Sequence, residues 1–366
     1  MLSRQSRPDV VSGQILCFQI APSHSSTTTM PAVATGKVLV SGANGYIAVW
    51  VVRSLLEAGF SVRGAVRSAD KGAHLKQLFA SYGEKFELVI VPDITKEGAF
   101  DEAVKGVDAV EHTASPFHMN ADDPAELLEP AIKGTEGILY SIMKHAPTVR
   151  RVVVTSSVAA VLSMLDKPKV FDERDWNDQA VAEVAEKGKE ANNGSKYRAS
   201  KTLAERAAWK FMEEHKSQIG WDLVCLNPPL VLGPVIHAVS SPDALNTSAL
   251  MMWEAFTKPG KAVGSGSFVD VRDLATAHVQ ALMNEPAGGE RIIVCAGPFC
   301  WQDWLDVVPA SNTNYEKGTP GAGKSFVHLI IFENGKAKKL LGLDYRTMEQ
   351  TAKDTLEDYE QKGWIA

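Results

Sequence analysis

Residues 37–48, KVLVSGANGYIA, decide how the rest of the chain is read. Val38, Leu39 and Val40 form a short apolar run of the length and β-branched character of a buried strand. Gly42 and Gly45 follow, with Ala48 where a third glycine could stand. Ile47, Val51, Val52, Leu55 and Leu56 then recur at helical spacing until Gly59 offers a C-cap. A strand, a glycine turn and a helix N-terminus together make an anion site. The glycines let the backbone approach a pyrophosphate, and the free N–H groups and dipole of the helix face it. In a chain with 28 glycines the spacing alone is weak, and it is the strand before and the helix after that make this a dinucleotide-binding turn.

Strand and helix patterns continue to alternate downstream. Ser61–Val66 reads as a second strand ending at Arg67, where NAD enzymes place an acid for the ribose 2′-OH and a cation suits the 2′-phosphate of NADP. Arg67 stands there, Lys71 follows one helical turn later, and no carboxylate comes before Asp70. Phe86–Val91 is a third strand closed by Pro92-Asp93-Ile94. Residues 98–105 have helical spacing, Val107–His112 is a fourth strand, and Thr113-Ala114-Ser115-Pro116 ends it with small polar residues. A helix is expected over 124–145, and Arg151–Thr155 is a fifth strand delivering Ser156 and Ser157 at its carboxyl end. An irregular acidic stretch, 166–194, precedes the helix that carries Tyr197 and Lys201. Trp221–Leu226 is another strand, ending in Asn227-Pro228-Pro229, and Val269–Asp273 and Arg291–Ala296 read as late returns to the sheet. Residues 309–325 are turn-rich and 346–360 form a charged helix.

This alternation implies an α/β fold, a Rossmann doubly wound parallel sheet with a smaller, discontinuous C-terminal substrate lobe. The expected division is a cofactor-binding domain over 36–228, with a return at 262–296, and a lobe over 229–261 and 297–366. Residues 1–35 fit neither: they read as a disordered tail, an upstream extension before Met30, or a basic, serine-rich targeting segment.

With 366 residues and 45% hydrophobic content the chain can bury a large core. A net charge of −6 and a pI near 5.9 argue against nucleic acid or an anionic membrane as partner. There is no run of eighteen apolar residues to span a bilayer. Cys17, Cys225, Cys295 and Cys300 are scattered without a CxxC pair, which favours free thiols in a reducing compartment, the cytoplasm, over disulfides or a metal site. The sequons at Asn193 and Asn246 would matter only in a secreted protein.

Tyr197 and Lys201 stand four apart, so a helix places both on one face. A phenol titrates near 10, and a neighbouring ammonium, with the charge of an oxidised nicotinamide, would lower that value toward useful acid–base chemistry. Ser157 would then bind a substrate carbonyl oxygen and orient it toward Tyr197. Two motifs compete. Tyr140 and Lys144 repeat the YxxxK spacing, but in an apolar helix before the serine strand, where Tyr140 is expected to pack in a core. Gly318–Ser325, GTPGAGKS, satisfies the P-loop pattern GxxxxGK[ST], yet a P-loop needs a buried strand before it and a helix after it. Here a polar stretch precedes and the strand-like FVHLIIF follows, so Lys324 is expected on a surface turn.

Taken together these stretches resemble the extended short-chain dehydrogenase/reductases, and within them the fungal NADPH-dependent aldehyde and methylglyoxal reductases, close to plant dihydroflavonol reductases. VSGANGYIA, VRSADK, VPDI, HTASPF, VVTSSVAAV, YRASK, AERAAWKFMEE, LNPPLVLGP, LNTS, VDVRD and KKLLG carry the likeness in order, over about residues 36–366. The resemblance implies a catalytic set of Ser157, Tyr197 and Lys201. It implies a cofactor loop of Gly42, Ala43, Asn44, Gly45, Tyr46 and Ile47, 2′-phosphate cations at Arg67 and Lys71, and adenine contacts at Asp93 and Ile94. Val231 and Ser248 match positions near the cofactor, and Thr113 and Pro228 join this set at the strand ends. No metal is implied. Val158 and Leu230 stand where fungal relatives often show tyrosines in the substrate pocket, and the stretch after Trp304 is shorter and more polar than expected.

The implied activity is NADPH-dependent reduction of a small aldehyde or ketone by a monomer or homodimer. A nucleotide-sugar epimerase or dehydratase on the same fold, or a non-catalytic NADP-sensing protein, is the alternative. The epimerase reading favours an acid where Arg67 stands, and a binding protein would not need the tyrosine–lysine pair.

Overall fold

The protein is described here from a computed structural model covering residues 32–115, 121–258, 264–308 and 318–365. Strand β1 (Lys37–Ser41) buries Val38, Leu39 and Val40 completely and runs into the glycine turn and helix α1 (Tyr46–Glu57). The chain then builds outward through β2 (Ser61–Val66), α2 (Ala69–Leu78) and β3 (Phe86–Ile90). It crosses back to β4 (Ala109–His112), α3 (Ala125–His145) and β5 (Arg151–Thr155), and after β6 (Lys169–Phe171), α4 (Asp178–Lys187) and α5 (Asn193–Glu214) adds β7 (Asp222–Asn227).

The sheet order is β3-β2-β1-β4-β5-β7-β10, with β10 at Arg291–Ile293, and every pairing in it is parallel. Val38 pairs with Val62 on one side and Ala109 on the other. The direction of winding therefore reverses between β1 and β4, and the crevice outside their carboxyl ends is where a doubly wound sheet takes its ligand. Buried side chains of α1 and of α7 (Val271–Met283) cover one face. Ile138, Leu139 and Ile142 of α3 and Ala208 and Phe211 of α5 cover the other. This is the Rossmann architecture expected.

Beside it lie two small sheets. One joins β8 (Leu230–Leu232), β9 (Ser265–Asp270) and β11 (Gly297–Cys300); the other pairs β6 with β12 (Ile330–Phe332). They are completed by α6 (Thr247–Thr257), α8 (Trp301–Asp306), α9 (Gly335–Leu341) and α10 (Met348–Gln361).

Several expectations change. Of the two late returns, β10 joins the main sheet, but β9 ends at Asp270 and pairs only with β8 and β11. Asp270 cannot extend it, because its carboxylate caps α7 by accepting from Arg272 N at 2.8 Å. Residues 98–105 form successive turns, bracketed by Gly98 and Gly106 at φ +71° and +69°; burial of Phe100, Ala103 and Val104 mimics the spacing of a helix. The stretch 166–194 contains α4, which Asn177 starts by accepting from Ala180 N. The fold begins before residue 36: Val33 is fully buried and its N–H donates to Leu282 O at 2.9 Å. Residues 1–31, Cys17 among them, and 309–317 lie outside the described residues. Cys225, Cys295 and Cys300 are buried free thiols. Among the described residues no helix is long and apolar enough to cross a membrane.

Candidate active site

Gly42 leaves β1 at φ +64°, a left-handed conformation that glycine adopts without strain. A Cβ there would also sit 3.1 Å from Ala114 Cα and 3.2 Å from its Cβ, so the turn closes against the loop after β4. Gly45 occupies the N-cap of α1 with no side chain capping it, and the first turn carries no acid. The leading N–H groups of the helix thus lack side-chain acceptors. A bare, uncharged helix start after a left-handed glycine fits a dinucleotide pyrophosphate. Ser41 Oγ braces the opposite strand end, accepting from Thr113 N (3.1 Å) and Ala114 N (3.0 Å). It also meets His112 Nδ1 at 2.9 Å. With its acceptor positions so used the hydroxyl donates its proton to Nδ1, so His112 is neutral. Burial and the Lys201 charge agree, pushing its pKa down to about 4.

Helix α5 begins where Asn192 accepts from Ser195 N at 2.8 Å, and it carries Tyr197 and Lys201 one turn apart on the cleft side. Lys201 Nζ donates to Ser115 Oγ at 3.0 Å, tying α5 to the end of β4. Burial drops the Lys201 pKa to about 8, partly opposed by the charge of Glu205. Ser157 leaves β5 as an N-cap, accepting from Ala159 N at 3.1 Å and donating to Pro228 O at 3.3 Å. A side-chain hydrogen bond joins Ser157 to Tyr197 and lowers the phenol pKa, but burial outweighs it and the net shift is upward from 10. The downward shift expected from sequence includes the charge of a bound oxidised nicotinamide and so concerns the loaded site rather than the protein alone. In the protein alone Lys201 is engaged by Ser115.

Two cavities meet at this group. A cleft of about 480 Å³ runs from Gly42, Gly45, Tyr46, Ile47 and Thr113 to Ser157, Tyr197 and Lys201, and is closed by Pro228, Val231 and Ser248. A second space, of about 510 Å³, lies on the lobe side and shares Ser157, Tyr197, Pro229 and Leu230 with the first. Val158 and Leu230, the positions where tyrosines were expected, both line it.

The remaining cofactor candidates stand apart from the cleft lining. Ala43 is buried and donates its N–H to Ala65 O at 3.0 Å. Asn44 is half-buried within the turn. Arg67 and Lys71 are exposed beyond the carboxyl end of β2 and form no ion pair among the described residues. Asp93 Oδ1 accepts from Thr95 N and Oγ1, at 2.9 and 2.6 Å, and Ile94 packs against Gly134 of α3. Ser115, at the strand end expected to meet ligand, lines the cleft, as do Thr155, Ser156, Thr247 and Met251, to which sequence reasoning assigned no role. The small polar ends of β4 and β5 and the LNTS stretch were the available signals.

Neither decoy joins the site. Tyr140 is not in a core: it is 41% exposed, its ring edge-on to Phe211 at 4.9 Å, in a helix on the far side of the sheet from α1. In GTPGAGKS, Thr319 N donates to Gln302 Oε1 and Gly321 N to Asp306 Oδ2, each at 2.9 Å, so these donors of the turn serve α8 rather than a phosphate. Residues 322–325 form one 3₁₀ turn and Lys324 is exposed. Lys324→Ala and Tyr140→Phe are both expected to leave carbonyl-reducing activity within about twofold of wild type. Magnesium-dependent ATP hydrolysis that disappears in Lys324→Ala would overturn this assignment of the turn.

The NAD dependent epimerase/dehydratase family profile matches residues 38–296, and the chain belongs to that family. Within it the chain is 38% identical to a ketoreductase of Aspergillus niger over 338 residues, covering 87% of this chain and 96% of that one. It is equally 38% identical to an NADPH-dependent methylglyoxal reductase of Saccharomyces cerevisiae over 335 residues, with the same coverage of 87% and 96%. The solved yeast methylglyoxal/isovaleraldehyde reductase complexed with NADPH superposes with a TM-score of 0.80 at 35% identity, covering 90% of this chain and all of that one. The resemblance to short-chain dehydrogenase/reductases of the fungal reductase group, drawn from the motifs, therefore holds.

Proposed function

We propose that this protein is an NADPH-dependent carbonyl reductase that converts an aldehyde or ketone to an alcohol. One observation carries the reading: Ser157 and Tyr197, with Pro229 and Leu230, form the wall shared by a cleft that ends at a glycine turn and an adjoining, mostly apolar cavity. A dinucleotide in the first and a carbonyl compound in the second would meet at these two hydroxyls. Both nearby relatives and the superposed structure bear names of carbonyl reductases, which supports it. The reading places the dinucleotide on the domain built from 36–228 with its return narrowed to 271–296, and gives the substrate lobe 229–270 and 297–366, since β9 pairs with β8 and β11.

In this reading Gly42 through Ile47 hold the pyrophosphate, Arg67 and Lys71 the 2′-phosphate, and Asp93 and Ile94 border the adenine. Thr113, Pro228, Val231 and Ser248 line the cleft toward the nicotinamide. The bound dinucleotide supplies a hydride, chemistry that no side chain here can perform. Ser157 donates to the substrate oxygen and orients it. Tyr197, kept protonated by burial, gives its proton to that oxygen as negative charge develops on it. Lys201 holds the ribose side of the cleft and lends positive charge beside the phenol.

Cofactor choice is a separate prediction. Arg67→Ala should weaken NADPH by about tenfold or more, since a hydrogen bond to a charged group contributes roughly 1.5–3 kcal/mol, and should leave NADH almost unaffected. Titrating both dinucleotides against wild type and variant checks this; equal wild-type affinity for the two refutes it. The reductase reading itself is tested by NADPH oxidation across aldehydes, diketones and flavonoid ketones. Failure of every carbonyl to accelerate oxidation would overturn it.

A further inference from the structure

Arg198 follows Tyr197 on α5 and lines the lobe-side cavity. It is the only charged side chain among the described residues that do so. The rest of the wall is apolar or small, with Leu162, Met164, Phe326, Leu329 and Phe332 prominent. Among the described residues the guanidinium makes one hydrogen bond, from Nη2 to Ser195 Oγ at 3.2 Å, and no ion pair. Glu183, whose charge acts on it, is held by Ser195 Oγ at 2.7 Å and Asn192 Nδ2 at 3.0 Å. The planar group lies over Gly194, where a Cβ would stand 3.5 Å from Nη1.

A half-buried cation whose partners are one hydroxyl and the nearby charge of an already engaged Glu183 regains only part of the hydration it loses, and burial lowers the Arg198 pKa with Glu183 opposing. A carboxylate arriving with the substrate would reverse that loss, and the guanidinium fork matches a carboxylate with two parallel hydrogen bonds. The apolar wall calls for an aryl or branched alkyl body on the same molecule. Val158 and Leu230 widen it, being smaller than the tyrosines expected there. Met164, Phe326, Val327 and Leu329, exposed by 52, 41, 64 and 38%, put further apolar surface on the lining.

We propose that the preferred substrates are keto acids, bulky apolar carbonyl compounds bearing a carboxylate that pairs with Arg198 while the carbonyl faces Ser157 and Tyr197. The proposal rests on the carbonyl-reductase reading and specifies its substrate class. Hydride adds to the carbonyl carbon and a proton to its oxygen, giving a hydroxy acid; the carboxylate passes through unchanged, and the dinucleotide is the only species oxidised.

The test uses aryl ketones with a carboxylate one, two or three carbons from the carbonyl, each beside its methyl ester, with NADPH and the full chain. At least one acid should exceed its ester in kcat/KM by tenfold or more. Arg198→Met should remove that preference, lowering kcat/KM for the acid about 10- to 100-fold, mostly through KM, while the ester stays within about threefold of wild type. Arg198→Lys should restore part of it. If esters are reduced as well as acids throughout, or Arg198→Met lowers both alike, while simple aldehydes are still reduced, this proposal fails and the reductase reading stands. If wild type reduces no carbonyl at all, the reductase reading fails first and this inference with it.

Discussion

Replacing Tyr197 with phenylalanine is expected to lower kcat by about 10²–10⁴-fold, the usual contribution of a positioned general acid, with NADPH still bound. Phenylalanine keeps the ring that lines both cavities and removes only the hydroxyl bonded to Ser157. In the proposed reading burial, which raises the phenol above its ordinary value, would keep Tyr197 protonated at neutral pH, the state a donor needs. Ser157→Ala should cost less, since it removes one bond to the carbonyl and leaves the proton source. Lys201→Met should weaken cofactor binding as well as rate. Its amine is held down to about 8, so in wild type the ammonium is present below that pH and lost as pH rises through it. NADPH affinity should therefore fall on the alkaline side, at or above 8 because bound phosphates favour the charged form, and Lys201→Met should abolish that limb. Steady-state kinetics of the three variants with direct cofactor titration decide the matter. Retention of most of kcat by Tyr197→Phe would mean that the proton comes from another group.

The parts of this arrangement that were legible in the sequence are those set by short-range rules. A wholly buried parallel strand must be a run like Val38-Leu39-Val40, and the turn after it must bend at Gly42, so strand, turn and helix could be placed together. The same holds for Arg151–Thr155, whose end delivers Ser157. What could not be read depends on partners distant in the chain. Residues 98–105 bury Phe100, Ala103 and Val104 as a helix would, yet the chain is turned by glycines at both ends. Helix α4 was hidden because its exposed face is acidic and only Ala180 and Val184 are buried. FVHLIIF reads as one strand, but β6 offers only three residues to pair with it; Phe326, Val327 and Leu329 instead line the lobe-side cavity. Helical spacing likewise brings Lys201 near Tyr197 without revealing Ser115, which engages it.

The second large effect is structural and concerns Glu205, one turn beyond Lys201 and only 2% exposed. Its Oε2 accepts from Ser156 Oγ at 2.6 Å and Asn227 Nδ2 at 2.8 Å, and its Oε1 pairs with Arg291 Nε. Asn227 Nδ2 also donates to Ser157 O at 3.1 Å. One carboxylate therefore ties α5 to the ends of β5 and β7 and to β10, directly behind the candidate serine. Arg291 is fixed in turn by the carbonyls of Glu173 and Asp175 and by stacking 3.6 Å over the Trp176 ring, so it cannot swing into water when its partner goes. Removing one member of a buried ion pair leaves the other charge uncompensated, which costs about 3–5 kcal/mol. Glu205→Ala should accordingly destabilise the fold by that amount, measured by urea unfolding, and should loosen Ser157 enough to lower kcat, though by less than Tyr197→Phe. Most of the loss is predicted to come from the stranded guanidinium rather than from the lost attraction. Arg291→Met added to Glu205→Ala should then recover part of the lost stability, leaving the double variant less destabilised than Glu205→Ala alone, because the second change removes the orphan. A double variant destabilised by the full sum of the two single changes would show that the pair is not coupled and that Glu205 acts through its bonds to Ser156 and Asn227 instead.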